Sequence, residues 1–279
     1  MNILVTNDDG IDSGGLWALA KAMSRVGNVT IIAPDKERSG VGSGLSLHNG
    51  ISITEVPSSI TGVRAYAIGG TPSDCVMLGI NRLAGSGIDL IVSGINPGPN
   101  IGRDIHYSGT VMATLQGYFR KIPSIAVSLY PKTRQEALDF DFAAEIAEKL
   151  ALNIKGGKLR PEAIINVNVP NLPKDKIKGI VTTRTADTGY VRLSDVEGDK
   201  VVNYKLDLDK LFNSGVSEGT DLRAIHSGYV SISLLRFEVD HREVLPSITA
   251  CVKAIEDEFL ADTREGRNKL LPETGNENY

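Results

Sequence analysis

Between residues 3 and 168, short apolar runs alternate with segments whose apolar residues recur every three or four positions. Short apolar strands separated by amphipathic helices restrict a chain to a mostly parallel sheet covered on both faces. The strand candidates are Ile3 to Val5, Val29 to Ala33, Leu90 to Val92, Ile125 to Val127 and Ile164 to Val169. Leu16 to Val26, Asp74 to Leu83, Val111 to Phe119 and Ala137 to Leu150 are the helix candidates between them. One interruption, Leu45 to Ile53, reads as a β-hairpin turning at Asn49-Gly50, a pair suited to the positive φ angles of a tight turn.

After Pro170 the pattern changes. Gly179 to Thr185 reads as extended, and Tyr190 to Leu206 as a polar hairpin turning near Glu197-Gly198-Asp199. A strand over Tyr229 to Leu235 and a helix over Leu245 to Leu260 follow, and the polar segment from Asp262 onward is expected to fray. The division this suggests is an α/β core over 1–170, which would carry any catalytic site at its strand ends, and an elaboration over 171–279.

Composition narrows the function classes. A chain of 279 residues with 23% charged and 41% hydrophobic residues can bury a sizeable core without staples. Its net charge of −4, with no basic run, argues against duplex nucleic acid as a partner. No leader-like or membrane-length apolar stretch is present, so a cytoplasmic location without membrane association is expected. Cys75 and Cys251 are the two cysteines. Each lies in an apolar helical pattern, which suits reduced, buried thiols rather than a disulfide.

The chemistry-bearing residues gather at the ends of the strand candidates, where open α/β sheets bind ligands. The first strand runs into Thr6-Asn7-Asp8-Asp9-Gly10. Two adjacent carboxylates there would repel a pyrophosphate, whereas a bound cation reverses that sign. The alternative reading makes one aspartate a cap for the helix near Gly14 and leaves the other solvated. Ser39 to Gly44, rich in glycine, suits either an anion-binding concavity or a plain connector. Ser93 to Asp104 carries more Gly, Pro and Asn than a short connection requires, which points to a functional loop. Tyr107-Ser108-Gly109-Thr110 opens a helix whose free N–H groups suit a phosphate, with Ser108 or Thr110 as cap. Gly69 to Asp74 reads as a helix start with Thr71 as cap, Pro72 in the first turn and Asp74 completing a capping box. Asp8, Asp9, Ser39 and Asn96 together offer hard oxygen donors suited to Mg²⁺, Mn²⁺ or Ca²⁺ and poorly suited to zinc. His48, His106, His226 and His241 form no ligand-spaced group, and His106 is the candidate proton donor.

These segments, in this order, resemble the survival protein E (SurE) family of 5′-nucleotidases over nearly the whole chain. The resemblance rests on Ile3 to Gly10, Ala33-Pro34-Asp35 with Arg38-Ser39-Gly40, Gly70 to Val76, Ser93 to Asn96, and Tyr107 to Val111. Glu218 to Asp221 and Gly228 to Ser231 extend it. It implies an α/β, Rossmann-like, mostly parallel sheet, plus a C-terminal elaboration with a protruding β-hairpin and an exchanged terminal helix. It implies hydrolysis of nucleoside monophosphates, with 3′-nucleotides and short polyphosphate as further substrates to test, in a homodimer or homotetramer. It also implies one divalent metal ion per subunit, Mg²⁺ or Mn²⁺, held by Asp8, Asp9, Ser39 and Asn96. Asn7, Gly40, Ser108, Gly109 and Thr110 would surround the phosphate, with Asp8, Asp9 and Asn96 the catalytic set.

Two positions depart from the family pattern: Gln116 stands where a Glu is expected, and Ser231 to Leu235 lacks a Thr-Pro pair. The first bears on support behind the phosphate, the second on the subunit interface. Two other readings of the residues compete. A receiver-like signalling module would need a phosphoacceptor Asp at the end of the third parallel strand, which is missing. A dinucleotide-binding module would need a glycine-rich first turn, and this one is acidic.

Overall fold

The computed structural model describes residues 1–48, 50–85, 87–132, 136–159, 163–189, 191–193, 204–206, 216–237, 248–249, 251–253 and 255–256. Met1–Arg236 forms one compact unit and Phe237–Tyr279 a second.

In the first unit the alternating pattern becomes β1 (Asn2–Thr6), α1 (Gly14–Ser24), β2 (Asn28–Pro34), β3 (Ile53–Val56), β4 (Arg64–Ile68) and α2 (Pro72–Leu78). Then come β5 (Leu90–Asn96), a 3-10 turn (Gly102–His106), α3 (Gly109–Tyr118), β6 (Ser124–Tyr130), α4 (Asp141–Lys155) and β7 (Ile164–Pro170). The chain continues through β8 (Ile180–Thr183), β9 (Val191–Leu193), β10 (Tyr204–Leu206), α5 (Asp221–His226) and β11 (Val230–Leu235). Nine strands form one sheet in the order β3-β4-β2-β1-β5-β6-β7-β11-β8, and β9 pairs antiparallel with β10. The pairs from β4 through β7 are parallel, as is β11 with β8, while β3–β4 and β11–β7 are antiparallel.

Side chains alternate faces along a strand, and the core shows it. Ile3 and Val5 of β1, Ile31 and Ala33 of β2, and Leu90 and Val92 of β5 pack with Leu16 and Leu19 of α1 and Ala143 and Ala147 of α4. Leu4, Ile32 and Ile91, one residue out of phase on the same strands, pack with Cys75 and Val76 of α2 and Ala113 of α3. Continuous apolar runs are therefore required, because both faces are covered. At the carboxyl edge of this sheet β1, β2 and β5 end side by side.

Helix α2 starts as its sequence dictates. The Thr71 hydroxyl accepts the Asp74 N–H at 3.1 Å, and the Asp74 carboxylate accepts the Thr71 N–H at 2.9 Å. Pro72, in the first turn, forfeits an N–H that the helix could not use.

Two expectations need correction. Leu45 to Ile53 does not form a hairpin; no strand covers 45–48, and Ile53 instead begins β3, which pairs with β4. The Ser46 N–H is taken by the Asp74 carboxylate at 3.2 Å, and Gly44 O accepts the Thr71 hydroxyl at 2.7 Å, so this backbone caps α2 rather than joining a ladder. Cys251 is exposed, whereas Cys75 is buried as expected, and both are free thiols. Beyond residue 170, β8 and β11 add to the main sheet, and the compact units divide after Arg236. The strands β9 and β10 match the expected polar hairpin, and its turn at 197–199 lies outside the described residues. In the second unit the described residues 248–249, 251–253 and 255–256 are helical, while the ends of the expected helix and the tail beyond 262 lie outside the described residues. No described helix is long and apolar enough to cross a membrane.

Thr71→Ala removes an N-cap acceptor and the bond to Gly44, and it should destabilise unit 1 by about 1–2 kcal/mol. Urea melts against the parent chain measure this, and an unchanged midpoint would show that the cap is dispensable.

Candidate active site

The acidic turn after β1 is built from its own backbone. The Asn7 side chain donates to Gly10 O at 3.0 Å and accepts the Gly10 N–H at 3.2 Å, closing a tight loop around Asp8 and Asp9. Asn7 thus holds the turn's shape with both ends of its amide. Neither aspartate caps α1, whose N-cap is Ser13 without a side-chain bond.

Asp8 is buried against the start of α3. The Thr110 hydroxyl donates to Asp8 Oδ1, and the Gly109 and Thr110 N–H groups favour the ionised carboxylate. Burial outweighs them and raises its pKa. Gly109 is required by this approach, since a Cβ there would stand 2.7 Å from Asp8 Cβ and 2.9 Å from Oδ2. Ser108 is the N-cap of α3 and accepts the Val111 N–H at 3.1 Å. Asp9 has a different setting. Its Oδ2 is buried without a hydrogen-bond partner among the described residues. Burial first, then the negative charges of Asp8 and Glu37, push its pKa up to about 8.

The other segments close around this pair. The Arg38 N–H donates to Asp8 O at 2.7 Å, which brings the loop after β2 beside the acidic turn. Ser39 and Gly40 are exposed, and the Ser39 hydroxyl turns to Glu37 at 2.9 Å rather than to the aspartates. The Gly42 N–H donates to Tyr107 O at 3.0 Å and ties that loop to the residue before the N-cap of α3. Asn96 ends β5, two positions along the sheet from β2, and its Nδ2 donates to Gly98 O at 2.7 Å, so Oδ1 remains as its acceptor. His106 is exposed at the close of the 3-10 turn. Asp8, Gly109 and Thr110 are thus packed together, the loop carrying Ser39 and Gly40 is tied to the acidic turn and to Tyr107, and Asn96 ends a neighbouring strand.

Among the described residues no group of three or more His, Cys, Asp or Glu side chains could hold a metal ion. Two carboxylates, one with a buried unpartnered oxygen, and neutral oxygens on Ser39 and Asn96 fit a hard divalent cation. A cavity of about 1130 Å³ lies elsewhere, lined by Met1, Asp89, Tyr118 and Lys155 among others at the amino edge. Asp89 is the one carboxylate in that lining, whereas the carboxyl edge carries the Asp8–Asp9 pair.

The segment between Asn96 and Ser108 is held from behind by residues that sequence reasoning did not single out. Asn100 N–H donates to Asn168 Oδ1 at 2.7 Å, its Nδ2 donates to Ser128 Oγ at 2.7 Å, and its carbonyl accepts Asn166 and Asn168 Nδ2, each at 2.9 Å. The buried Asp221 carboxylate accepts N–H groups of Gly102 at 2.9 Å, Ala186 at 2.9 Å and Leu222 at 2.7 Å. Gly102 has φ +57°, and a Cβ there would meet Thr188 O at 2.1 Å. The available signal was Asn166-Val167-Asn168: two amides at a spacing of two in an otherwise apolar run, hence on one face of a covered strand.

A sequence profile described as Survival protein SurE matches residues 3–192. The chain belongs to the SurE family. Proteins named 5′-nucleotidase SurE are similar to it. That of Dehalococcoides mccartyi strain CBDB1 is 41% identical over 235 residues, covering 84% of this chain and 88% of its own length. That of Clostridium botulinum strain Loch Maree / Type A3 is 36% identical over 250 residues, covering 88% and 96%. The crystal structure of the SurE protein from Aquifex aeolicus superimposes with a TM-score of 0.75 at 34% identity, covering 90% of this chain and 99% of that one. The α/β sheet expected of a SurE chain is thus the one observed. Of the two departures from the SurE pattern, Gln116 is buried and accepts Arg120 at its carbonyl (2.9 Å) and Oε1 (3.2 Å). Ser231 in β11 shares a 2.7 Å hydroxyl contact with Thr183 of β8, and the Ser233 hydroxyl is buried without a described partner.

A carboxyl whose folded pKa stands above its unfolded value binds more protons when folded, so stability falls as pH rises between the two. For Asp9 this window runs from the ordinary carboxylate value of 3.8 to about 8 and is flat beyond. Melting temperatures of chelator-treated protein from about pH 5 to pH 9 should fall, and Asp9→Asn should flatten the slope; parallel profiles for both proteins would contradict this. Asp221→Asn replaces one acceptor oxygen by an NH₂ group facing an N–H, and should cost about 1–3 kcal/mol in denaturant melts.

Proposed function

We propose that this chain is a divalent-metal-dependent phosphatase that hydrolyses nucleoside monophosphates to nucleoside and phosphate, a 5′-nucleotidase. The observation that carries the reading is the Asp8–Asp9 pair, with a buried, unpartnered Asp9 oxygen at the carboxyl edge, in a chain similar to proteins named 5′-nucleotidase SurE. One Mg²⁺ or Mn²⁺ per subunit would be held by Asp8, Asp9, Ser39 and Asn96. When bound, it supplies concentrated positive charge against the charge developing on the phosphoryl oxygens.

The chain's own residues do the rest. Thr110 fixes one oxygen of Asp8 and thereby the direction of the other. The start of α3, Ser108 to Thr110, contributes the partial positive charge of a helix N-terminus to an anion on the edge. Gly40, with φ +76° and open space where a Cβ would stand, lies on the exposed loop after β2 and would offer its N–H to a phosphate oxygen. Asn7 acts by shaping the turn that carries both aspartates. Asp8 or Asp9 would orient the attacking water, and His106 is the candidate to deliver a proton to the leaving alcohol. Uncatalysed phosphate monoester hydrolysis is slow enough for accelerations of up to about 10²¹, so positioned charge carries most of the work. A homodimer or homotetramer, in which the hairpin and terminal helix exchange between subunits, and a cytoplasmic location complete the reading. In it the stretch beyond 170 both supports the site loop and supplies the subunit contacts.

Phosphate release from a panel of nucleoside monophosphates tests it. Chelator-treated protein should be inactive, Mg²⁺ or Mn²⁺ should restore release, and Asp8→Asn should lower it by at least about 10³-fold. Metal-independent release, or none, would refute the reading. Gly109→Ala, which drives a methyl into Asp8, should lower kcat on the order of 10²-fold in a folded protein.

A further inference from the structure

A nucleotidase has to hold a base as well as a phosphate, and none of the residues assigned so far touches a base. We infer that Tyr107 is the platform on which the substrate's nucleobase stacks, and hence the residue by which the site prefers nucleotides over simpler phosphate esters. This rests on the nucleotidase reading above.

Tyr107 is 60% exposed, although its backbone is fastened on both sides. Its N–H donates to Asp104 O at 3.0 Å, and its carbonyl accepts the Gly42 N–H at 3.0 Å. A residue so anchored, with its ring left in water, presents a large apolar face at little further conformational cost. Its place is the second observation. Tyr107 immediately precedes Ser108, the N-cap of α3. In a 5′-nucleotide one ribose separates base from phosphate, so a phosphate at the start of α3 leaves the base within the surroundings of the preceding residue. The other strongly exposed aromatic among the described residues, Phe119 (59%), sits just past the far end of α3. That is about 15 Å away along a helix of this length, too far for the same ligand.

The loop tied to Tyr107 offers a second apolar wall. Val41 and Leu45, 37% and 40% exposed, flank the Gly42 that bonds to Tyr107, with Leu47 beyond them at 76%. Aromatic stacking tolerates every base, because each has a π-face, and strengthens with the area of that face. Purine nucleotides should therefore gain more from Tyr107 than pyrimidine nucleotides do.

The test compares kcat/KM for AMP, UMP and ribose 5-phosphate in the metal-loaded full-length protein, for the parent, Tyr107→Phe and Tyr107→Ala. The ratio for AMP over ribose 5-phosphate should fall about tenfold in Tyr107→Ala, mostly through KM, and stay within about twofold in Tyr107→Phe. The ratio for UMP should fall less than that for AMP. An unchanged AMP ratio in Tyr107→Ala overturns the inference, whether both esters suffer equally, as they would if Tyr107 supported a subunit contact, or neither does. Parent protein that hydrolyses neither ester would refute the phosphatase reading itself, and the inference with it.

Discussion

A carboxylate buried at the end of a strand is costly unless something meets its charge. At Asp8 the first turn of α3 meets that need in part: the Thr110 hydroxyl bonds to it, and the Gly109 and Thr110 N–H groups favour its ionised form against the cost of burial. Most of the site follows from this contact. It brings α3 to within a hydrogen bond of the β1 turn, excludes any side chain at position 109, and places the N-cap Ser108 beside the acidic pair. Asp9, next in the chain, receives no such help, and the proximity of Asp8 and Glu37 adds to the cost of its charge. One aspartate is thus hydrogen-bonded by α3, and the other retains a buried oxygen without a partner among the described residues.

Long loops at a sheet edge are ordinarily the least ordered part of a domain. Here the stretch from Asn96 to Ser108 is pinned from behind by Asn100 with Ser128, Asn166 and Asn168, and by Asp221 through Gly102. All of these donors and acceptors are buried, where an unmade bond is most expensive, so the loop has few alternative paths. The pins come from β6, β7 and α5, on strands and helices that carry no proposed ligand. Precision at the site is therefore supplied by elements beside it, as preorganised polar sites require. Asp221 shows that the chain beyond 170 belongs to this support as well as to the sheet.

Much of this was legible in the residues. Continuous apolar runs identified β1, β2, β5, β6 and β7, because strands covered on both faces have no polar phase to hide. Thr71-Pro72-Ser73-Asp74 announced the start of α2, since capping is a local interaction among neighbours in sequence. Asp8, Asp9 and the Tyr107 to Thr110 helix start stood out for the same reason: strand ends and helix starts are read from a few adjacent residues. β4 was missed because Arg64-Ala65-Tyr66-Ala67-Ile68 is a weak apolar run that only its neighbours β2 and β3 make into a strand. The Leu45 to Ile53 turn had hairpin chemistry, yet Asp74 captured the backbone that a hairpin needed.

Sequence by itself determined the α/β class, the family, and which side chains could bear the chemistry, because those depend on local periodicity and on residues close together in the chain. Tertiary structure alone decided that Asp8 is met by Thr110 while Asp9 is not, that Asn100 is clasped by amides 66 and 68 residues away, and that Asp221 reaches Gly102 across 119 residues. Hydrogen bonds between such distant residues leave no periodic trace, since each is fixed by where the sheet order happens to set two strands side by side.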